Sequence, residues 1–498
     1  SHSGLFPSRF ASPGADVRAP ASCSEFSLSF KLNLSLDTPG LAILVNLSMI
    51  RHFSKFSQTR LCSIAGGSAA GRRHFSQTVN AAITEYASQR PNAISLEEIV
   101  EMKKPDEIAS ILQQELPVRL ANRIAHLDTL PHLTGIQELQ EVRSAFVQSF
   151  SEIQDAFASA SSDHSMLAQR MRSMRHRHQD QALKITLGMR AWKEIRANRG
   201  ESPEVTRAFV DQFLDRFFLS WIGMDTLSSQ FLALSESSPG GVVDPDCDPY
   251  EVASKAAGAV QELAAWRVAC PPKIEVVSHA LPEARTLPLI PTYLYYILIE
   301  LLKNSVRAVG EHHEAHGDPT EDPEPVVLRV ASDKAQVALQ ISDRGGGIPF
   351  DRQPKVWSYM YSTARTVGPD GQSQPTPLAG FGVGLPLSRL YANYIGGSLH
   401  VMSMPNYGTT GYLYLTRAGD RQEALPTYVN WLRKKNLQER VASLEKQKRD
   451  AAHMEDYFEA ARLKALEMEA RAELSTLERD GVHIHHIGSI DLPQAGPP

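Results

Sequence analysis

The sequence predicts a helical bundle followed by an α/β domain, and three observations carry that prediction. Apolar residues recur at helical spacing from about Ile83 to Leu234, enough chain for a bundle of four long helices. A Pro/Gly/Asp-rich break, SESSPGGVVDPDCDP at 235–249, then marks a domain boundary. Beyond it, short alternating runs interleave with shorter helical patterns, the texture of mixed α and β structure. The chain has 498 residues, room for about two to four domains.

Within the bundle, Asp106 to Leu130 places Ile108, Ile111, Leu112, Leu116, Leu120, Ile124 and Leu127 close to helical period, with Pro105 where a helix can begin and Pro131 closing it. Ile136–Phe157, Ser165–Ala197 and Pro203–Leu234 are three further helical patterns. After the break, Lys273–Ser278 reads as a strand and Tyr293–Val309 as a helix. Val326–Ala331 and Val337–Ser342 read as strands, Ser388–Ile395 as a helix, and Ser398–Met404 and Gly411–Leu415 as two more strands. Gly310–Pro325 and Thr366–Ala379 are polar and rich in Gly or Pro, so both are expected to be mobile loops. The resulting domains are 1–75 upstream sequence and targeting peptide, 80–240 bundle, 245–420 α/β domain, 430–480 helical extension and 481–498 tail.

Composition excludes several classes. Hydrophobic residues make up 42% and charged residues 21%, which rules out a mainly disordered or collagen-like chain. A net charge of −5 gives no general attraction to nucleic acid. No apolar run reaches the ~18 residues of a membrane span, the longest candidate being 41–47. The four cysteines form no Cys-x-x-Cys pair, so no disulfide framework or cysteine zinc site is expected. From Met49 to Thr84 there is no acidic residue, while Arg51, Lys55, Arg60, Arg72 and Arg73 stand among serines. That pattern predicts an organelle transit peptide, with Met49 as the start and processing near 73–76.

Three motifs carry chemistry. The helix YLYYILIELLKNSVRAV at 293–309 turns Leu294, Ile297, Leu298 and Leu301 to a core and sets Glu300 and Asn304 four apart on one side. Asn304 and Arg307 are either a solvated polar stripe or, with Glu300, functional: Asn304 holding Mg²⁺ at nucleotide phosphates and Glu300 taking a proton from an attacking hydroxyl. ISDRGGGIP at 341–349 follows an alternating strand. Its glycines let the backbone approach a flat ligand, and Asp343 can accept from an exocyclic amine such as adenine's. GFGVGLP at 380–386 leads into a helix, where glycine amides cradle phosphate. It is neither a Walker loop nor the dinucleotide fingerprint.

In this order and at these separations, the three motifs resemble the N, G1 and G2 boxes of the gyrase/histidine-kinase/MutL (GHKL) ATPase superfamily. ELLKNSVRA at 300–308, SYMYSTA at 358–364, GFGVGLPLSRLY at 380–391 and YGTTGYLYL at 407–415 narrow the match. So do ELPVRLAN at 115–122, RHRHQD at 175–180 and FLDRFFLS at 213–220. Over about 80–425 the chain resembles the mitochondrial pyruvate dehydrogenase kinases, with the branched-chain 2-oxoacid dehydrogenase kinases as sibling group. Signatures of ordinary protein kinases are absent.

The resemblance implies an N-terminal four-helix bundle that docks on the lipoyl domain of the complex's E2 core, and a GHKL-type α/β sandwich that binds ATP and Mg²⁺. It implies a matrix kinase, a homodimer, that phosphorylates serine on the E1α subunit. Carried over by position, Glu300 would be the base and Asn304 the metal ligand. Glu300, Leu301, Leu302, Lys303, Asn304, Ser305, Val306, Arg307, Asp343, Gly345, Gly347, Ser362, Thr363, Gly380, Phe381, Gly382, Val383, Gly384, Leu385 and Thr409 would contact the nucleotide. The loop at 366–379 would be the lid. Tyr296 stands where pyruvate-type kinases often carry His, as in the branched-chain group. Asp225 replaces a usual Arg, and the family's Asp-Trp tail is missing. A branched-chain substrate, and a nucleotide-regulated binding protein without kinase activity, are the alternative readings.

Two C-terminal features lie outside the resemblance. Leu437, Val441 and Leu444 fit a heptad whose phase fails at Lys448 and resumes differently through Met454, Phe458, Ala461 and Leu466. A long zipper is therefore not expected; two shorter helices folded on each other, or on the kinase domain, suit the broken phase. Residues 454–464 are similar to the helical-hairpin motif of bacterial nucleotide-excision repair proteins. The extension, beginning near Trp431, would take over the role of the missing tail in stabilising a dimer. The HIHH run at 483–486 could suggest a metal site, but no acidic or cysteine cluster accompanies it and a disordered polar tail is expected.

Overall fold

Polar side chains tied to backbone hold the early bundle helices in place. Ser95 caps α1 (Leu96–Glu101): its hydroxyl accepts from the Glu98 amide at 3.1 Å, and the Glu98 carboxylate accepts from the Ser95 amide at 2.6 Å. In α2 (Pro105–Asp128), the ELPVRLAN motif proves to be a tether. Glu115 accepts from the Asn92 amide at 2.9 Å and Arg119 donates to the Asn92 carbonyl at 2.8 Å, while Asn122 donates to the Gln89 carbonyl at 3.1 Å. The computed structural model describes residues 79–158, 164–236, 241–266, 268, 270–318, 320–363, 382–417, 440–441, 443–451 and 461–472. The expected targeting segment, the 366–379 stretch, Trp431 and the HIHH run lie outside them.

α3 (Gln137–Ala158) follows as expected, but the pattern over Ser165–Ala197 is two helices, α4 (Ser165–Arg177) and α5 (Gln181–Ala197). The break falls at His178, whose ring is buried against Phe146 (centroids 4.4 Å apart), with Nε2 2.9 Å from the Ser149 hydroxyl. Burial lowers the His178 pKa to about 3, so the ring is neutral at pH 7. Arg175 and Arg177 lie in the last turn of α4, where cations suit the helix C-terminus. α6 (Pro203–Ser235) closes the bundle over Phe213, Phe217, Phe218 and Phe231. Asp225 pairs with Arg175 at 3.2 Å.

The second half forms a five-stranded sheet covered by helices. β1 (Asp244–Cys247) pairs with β3 (Leu287–Leu289) in a small antiparallel ribbon. α7 (Pro249–Ala265) begins inside the expected boundary segment, capped by the Asp248 carboxylate at 2.9 Å from the Tyr250 amide. β2 (Ile274–Ala280), β4 (Val326–Ser332), β5 (Gln336–Ser342), β6 (Gly397–Met404) and β7 (Gly408–Thr416) lie in the order β2-β4-β5-β7-β6. Only β2 and β4 run parallel, and α8 (Pro291–His316) lies in the connection between them. α8 runs seven residues past Val309, through part of the stretch expected to be loop, because Gly310 is buried against Val268 inside the helix. α9 (Gly384–Tyr394) packs with α8 through Tyr391, whose ring lies 4.6 Å from Tyr293 and 4.9 Å from Tyr296.

One apolar core runs through bundle and sheet half alike. The helical residues 440–441, 443–451 and 461–472 share a separate small core of Val441, Leu444, Leu463 and Ala470. Lys448 and Arg471 bridge across it, to Glu467 and Glu445 respectively. Among the described residues, no helix is long and apolar enough to cross a membrane.

Candidate active site

A cleft opens between α8, the start of α9 and the ends of β5 and β7. A helix advances ~100° per residue, so only part of any run can face one side. Glu300, Leu301, Asn304, Ser305, Arg307 and Ala308 line the cleft. Leu302 and Val306, expected to contact a nucleotide, are instead fully buried in the core, which corrects that expectation. Lys303 also lies off the cleft wall, but its ammonium reaches the Glu300 carboxylate at 2.5 Å. Asn304 is exposed to the cleft, and among the described residues no hydrogen bond fixes its amide. Tyr296, one turn before Glu300, is buried, and burial with the Glu300 charge nearby holds its phenol well above the ordinary tyrosine range.

Asp343 ends β5 and organises the opposite wall. Its Oδ1 accepts from the Gly345 amide at 3.0 Å and the Thr409 amide at 3.1 Å; its Oδ2 accepts from the Ser305 hydroxyl at 2.8 Å. Burial raises its pKa above the usual carboxylate value although all three bonds oppose the shift. Asp343 also donates its own amide to the Thr409 carbonyl at 2.9 Å, continuing the β5–β7 ladder. The expected meeting of Asp343 and Thr409 is thus built from backbone register. Gly347 sits at φ 68°, and a Cβ there would overlap the Met404 carbonyl.

Tyr361, Ser362 and Thr363 border the remaining side together with Gly382, Gly384 and Leu385. Gly384 opens α9 directly against Glu300: a methyl group there would overlap the Glu300 carboxylate. Val383 sits at the N-cap of α9 and is not part of the wall. Gly380 and Phe381 lie outside the described residues. The structure adds residues that sequence reasoning missed: Ala308, Glu311, His312, His316, Tyr361 and Asn406. Asn406 had a visible signal, the PNYG turn at 405–408; it adopts φ 64° and donates its amide to the Gly346 carbonyl at 2.8 Å. The histidines had none, because they fall in the stretch read as loop.

What this arrangement offers is a carboxylate and an amide one turn apart, a buried acid beside a backbone edge, and glycine amides at a helix start. Those groups suit proton transfer, hard-cation binding, recognition of an amine and phosphate binding. Among the described residues, no group of three or more His, Cys, Asp or Glu could hold a metal ion by itself.

Residues 93–259 match the family model described as mitochondrial branched-chain alpha-ketoacid dehydrogenase kinase. Residues 290–418 match the model of the histidine kinase-, DNA gyrase B- and HSP90-like ATPases. The chain is 34% identical to the mitochondrial [pyruvate dehydrogenase (acetyl-transferring)] kinase of Arabidopsis thaliana over 362 residues, 69% of this chain and 95% of that protein. It is 32% identical to the Drosophila melanogaster enzyme of the same name over 363 residues, 69% of this chain and 86% of that one. To isozyme 4 of Homo sapiens it is 30% identical over 378 residues, 72% of this chain and 90% of that one. The chain belongs to the family of the mitochondrial pyruvate dehydrogenase and branched-chain 2-oxoacid dehydrogenase kinases.

Proposed function

We propose that the protein is a mitochondrial matrix kinase that transfers the γ-phosphate of ATP to a serine on the E1α subunit of a 2-oxoacid dehydrogenase complex, pyruvate dehydrogenase first, and so inactivates it. The observation that carries this reading is the pairing of Glu300 and Asn304 on one helix face opposite Asp343, within a chain of this family. Phosphoryl transfer asks for alignment and charge neutralisation more than covalent chemistry. Asp343 and Thr409 accept the adenine edge; Oδ2 of Asp343, engaged only by Ser305 among the bonds above, keeps acceptor capacity for an exocyclic amine. Amides at Gly382–Leu385 meet the phosphates at the start of α9. The amide oxygen of Asn304 is a hard donor that fits Mg²⁺, which when bound neutralises phosphate charge. Glu300 takes the proton of the serine hydroxyl, and its pairing with Lys303 holds the carboxylate oriented until substrate arrives.

The partners follow from the same reading. E1α is the substrate, and the bundle is the docking element for the lipoyl domain of E2. The acid-free stretch from Met49 to Thr84 and the relatives' mitochondrial names support delivery to the matrix. A homodimer is supported by the exposure, among the described residues, of Met402 and Met404 on one sheet face and of Tyr407 in the turn beside them. A second reading, the branched-chain complex as substrate, is favoured by Tyr296 and by the family model over the bundle. Measuring phosphate transfer to the two purified E1α proteins separates them. Faster transfer to pyruvate dehydrogenase E1α is expected, faster transfer to the branched-chain E1α would establish the second reading, and transfer to neither would leave a nucleotide-regulated binding protein.

A further inference from the structure

We infer that Asp211, Asp215 and Tyr359 form a clamp through which the last bundle helix positions the phosphate end of the nucleotide cleft. This rests on the reading of the cleft given above. Asp211 and Asp215 lie one turn apart on α6, and both engage the segment that leads into Ser362 and Thr363. The Tyr359 amide donates to Asp211 Oδ1 at 2.9 Å, and its phenol donates to Asp215 Oδ1 at 2.8 Å. The Ser358 side chain also bonds Asp211. The Tyr359 ring is buried and lies 5.7 Å from that of Phe218, stacked at 30°.

Apolar packing alone would join two halves of a molecule at lower desolvation cost than a pair of carboxylates. Burial raises the Asp211 pKa and pushes the Tyr359 phenol well above its ordinary value, which marks that cost. What the polar version adds is direction: one bond fixes the side chain and another fixes the main chain at the same residue.

The clamp is also wired to both borders of the phosphate end. Met360, the next residue, is left-handed at φ 62° and donates its amide to the Gly382 carbonyl at 2.9 Å. Gly382 is left-handed as well, at φ 73°, and a Cβ there would run into the main chain of Met360 and Tyr361. Tyr361–Thr363 and Gly382–Leu385 are therefore locked to each other, and through Tyr359 to α6. On the far side, Arg389 of α9 stacks over Trp357 at 4.9 Å, so the segment is held by two helices that meet the cleft differently. The adenine end, built on Asp343 and Thr409, shares none of these contacts.

That separation supplies the test. The full-length chain and its Tyr359→Phe and Asp215→Leu variants are titrated calorimetrically with ATP in Mg²⁺ and, separately, with adenosine. ATP affinity is expected to fall by about fivefold to tenfold in both variants, the scale set by losing one buried hydrogen bond, while adenosine affinity stays unchanged. Asp215→Asn, whose amide oxygen still accepts from the phenol, is expected to keep wild-type ATP affinity. Unchanged ATP binding in Tyr359→Phe, or an equal loss for ATP and adenosine, would overturn the clamp while leaving the cleft reading intact. Failure of the wild-type chain to bind either ligand would overturn both. If Asp215→Leu does not fold, Tyr359→Phe, which removes a single oxygen, decides alone.

Discussion

Asp343 shows how one residue can be costly to the fold and useful to the site. Its carboxyl is desolvated, so its folded pKa lies above the unfolded value near 3.9. A raised folded pKa means the native state holds the proton more tightly, so ionising the group costs stability as pH rises through that window. In the proposed site the ionised carboxylate is the stronger acceptor for adenine's amine, so nucleotide affinity is expected to have the opposite sense. It is expected to be full at pH 7 and lost on acidification, beginning above the pH at which an ordinary aspartate titrates. Calorimetric ADP binding against pH checks this, with Asp343→Asn expected to flatten the profile and to melt no lower than wild type. Asn304 makes a second prediction at this scale. Asn304→Ala is expected to abolish the Mg²⁺ dependence of ATP binding, since no other side chain in that turn of α8 offers a cleft-facing amide oxygen. Undiminished Mg²⁺-dependent affinity would return Asn304 to a solvated stripe.

At the scale of elements, legibility followed periodicity. α2 and α6 could be read within a residue or two because their apolar stripes agree with the prolines that open them, and α3 from its stripe alone. The break at His178 could not, since the ring that caps it is satisfied by Phe146 and Ser149, partners distant in sequence. The end of α8 was hidden by Gly310, a helix breaker by composition whose lack of a side chain here admits Val268. For the site, Glu300, Asn304 and Asp343 were legible as motif and face, whereas Leu302 and Val306 show that a motif's letters do not all point one way. The start of α9 yields a prediction of the same kind. Gly384→Ala keeps helical backbone geometry but displaces the Glu300 carboxylate, so turnover is expected to fall more than tenfold with little change in melting temperature. Wild-type turnover in that variant would show that the Glu300–Gly384 contact is dispensable.

Among the described residues, one continuous core couples a bundle and a nucleotide-binding sheet, and Met402 and Met404 stand exposed on the other sheet face. Met402 alternates away from Val401, which lines the cleft, so it tests association without touching the site. Met402→Glu is expected to convert a dimer to monomer in light scattering at unchanged ATP affinity; an unaltered dimer would move the interface elsewhere. A chain truncated at Thr427 asks the same of the C-terminal helices, which share a small core and ion pairs of their own.

The central claim is that Glu300 is the base of a kinase acting on E1α. Transfer of label from γ-labelled ATP to the E1α serine, compared between the wild-type chain and Glu300→Gln, tests it most directly. The account predicts transfer by the wild type and a loss of about 10²–10⁴-fold in the variant, with ATP affinity nearly unchanged. Equal transfer by both proteins, or none by the wild type, would contradict it.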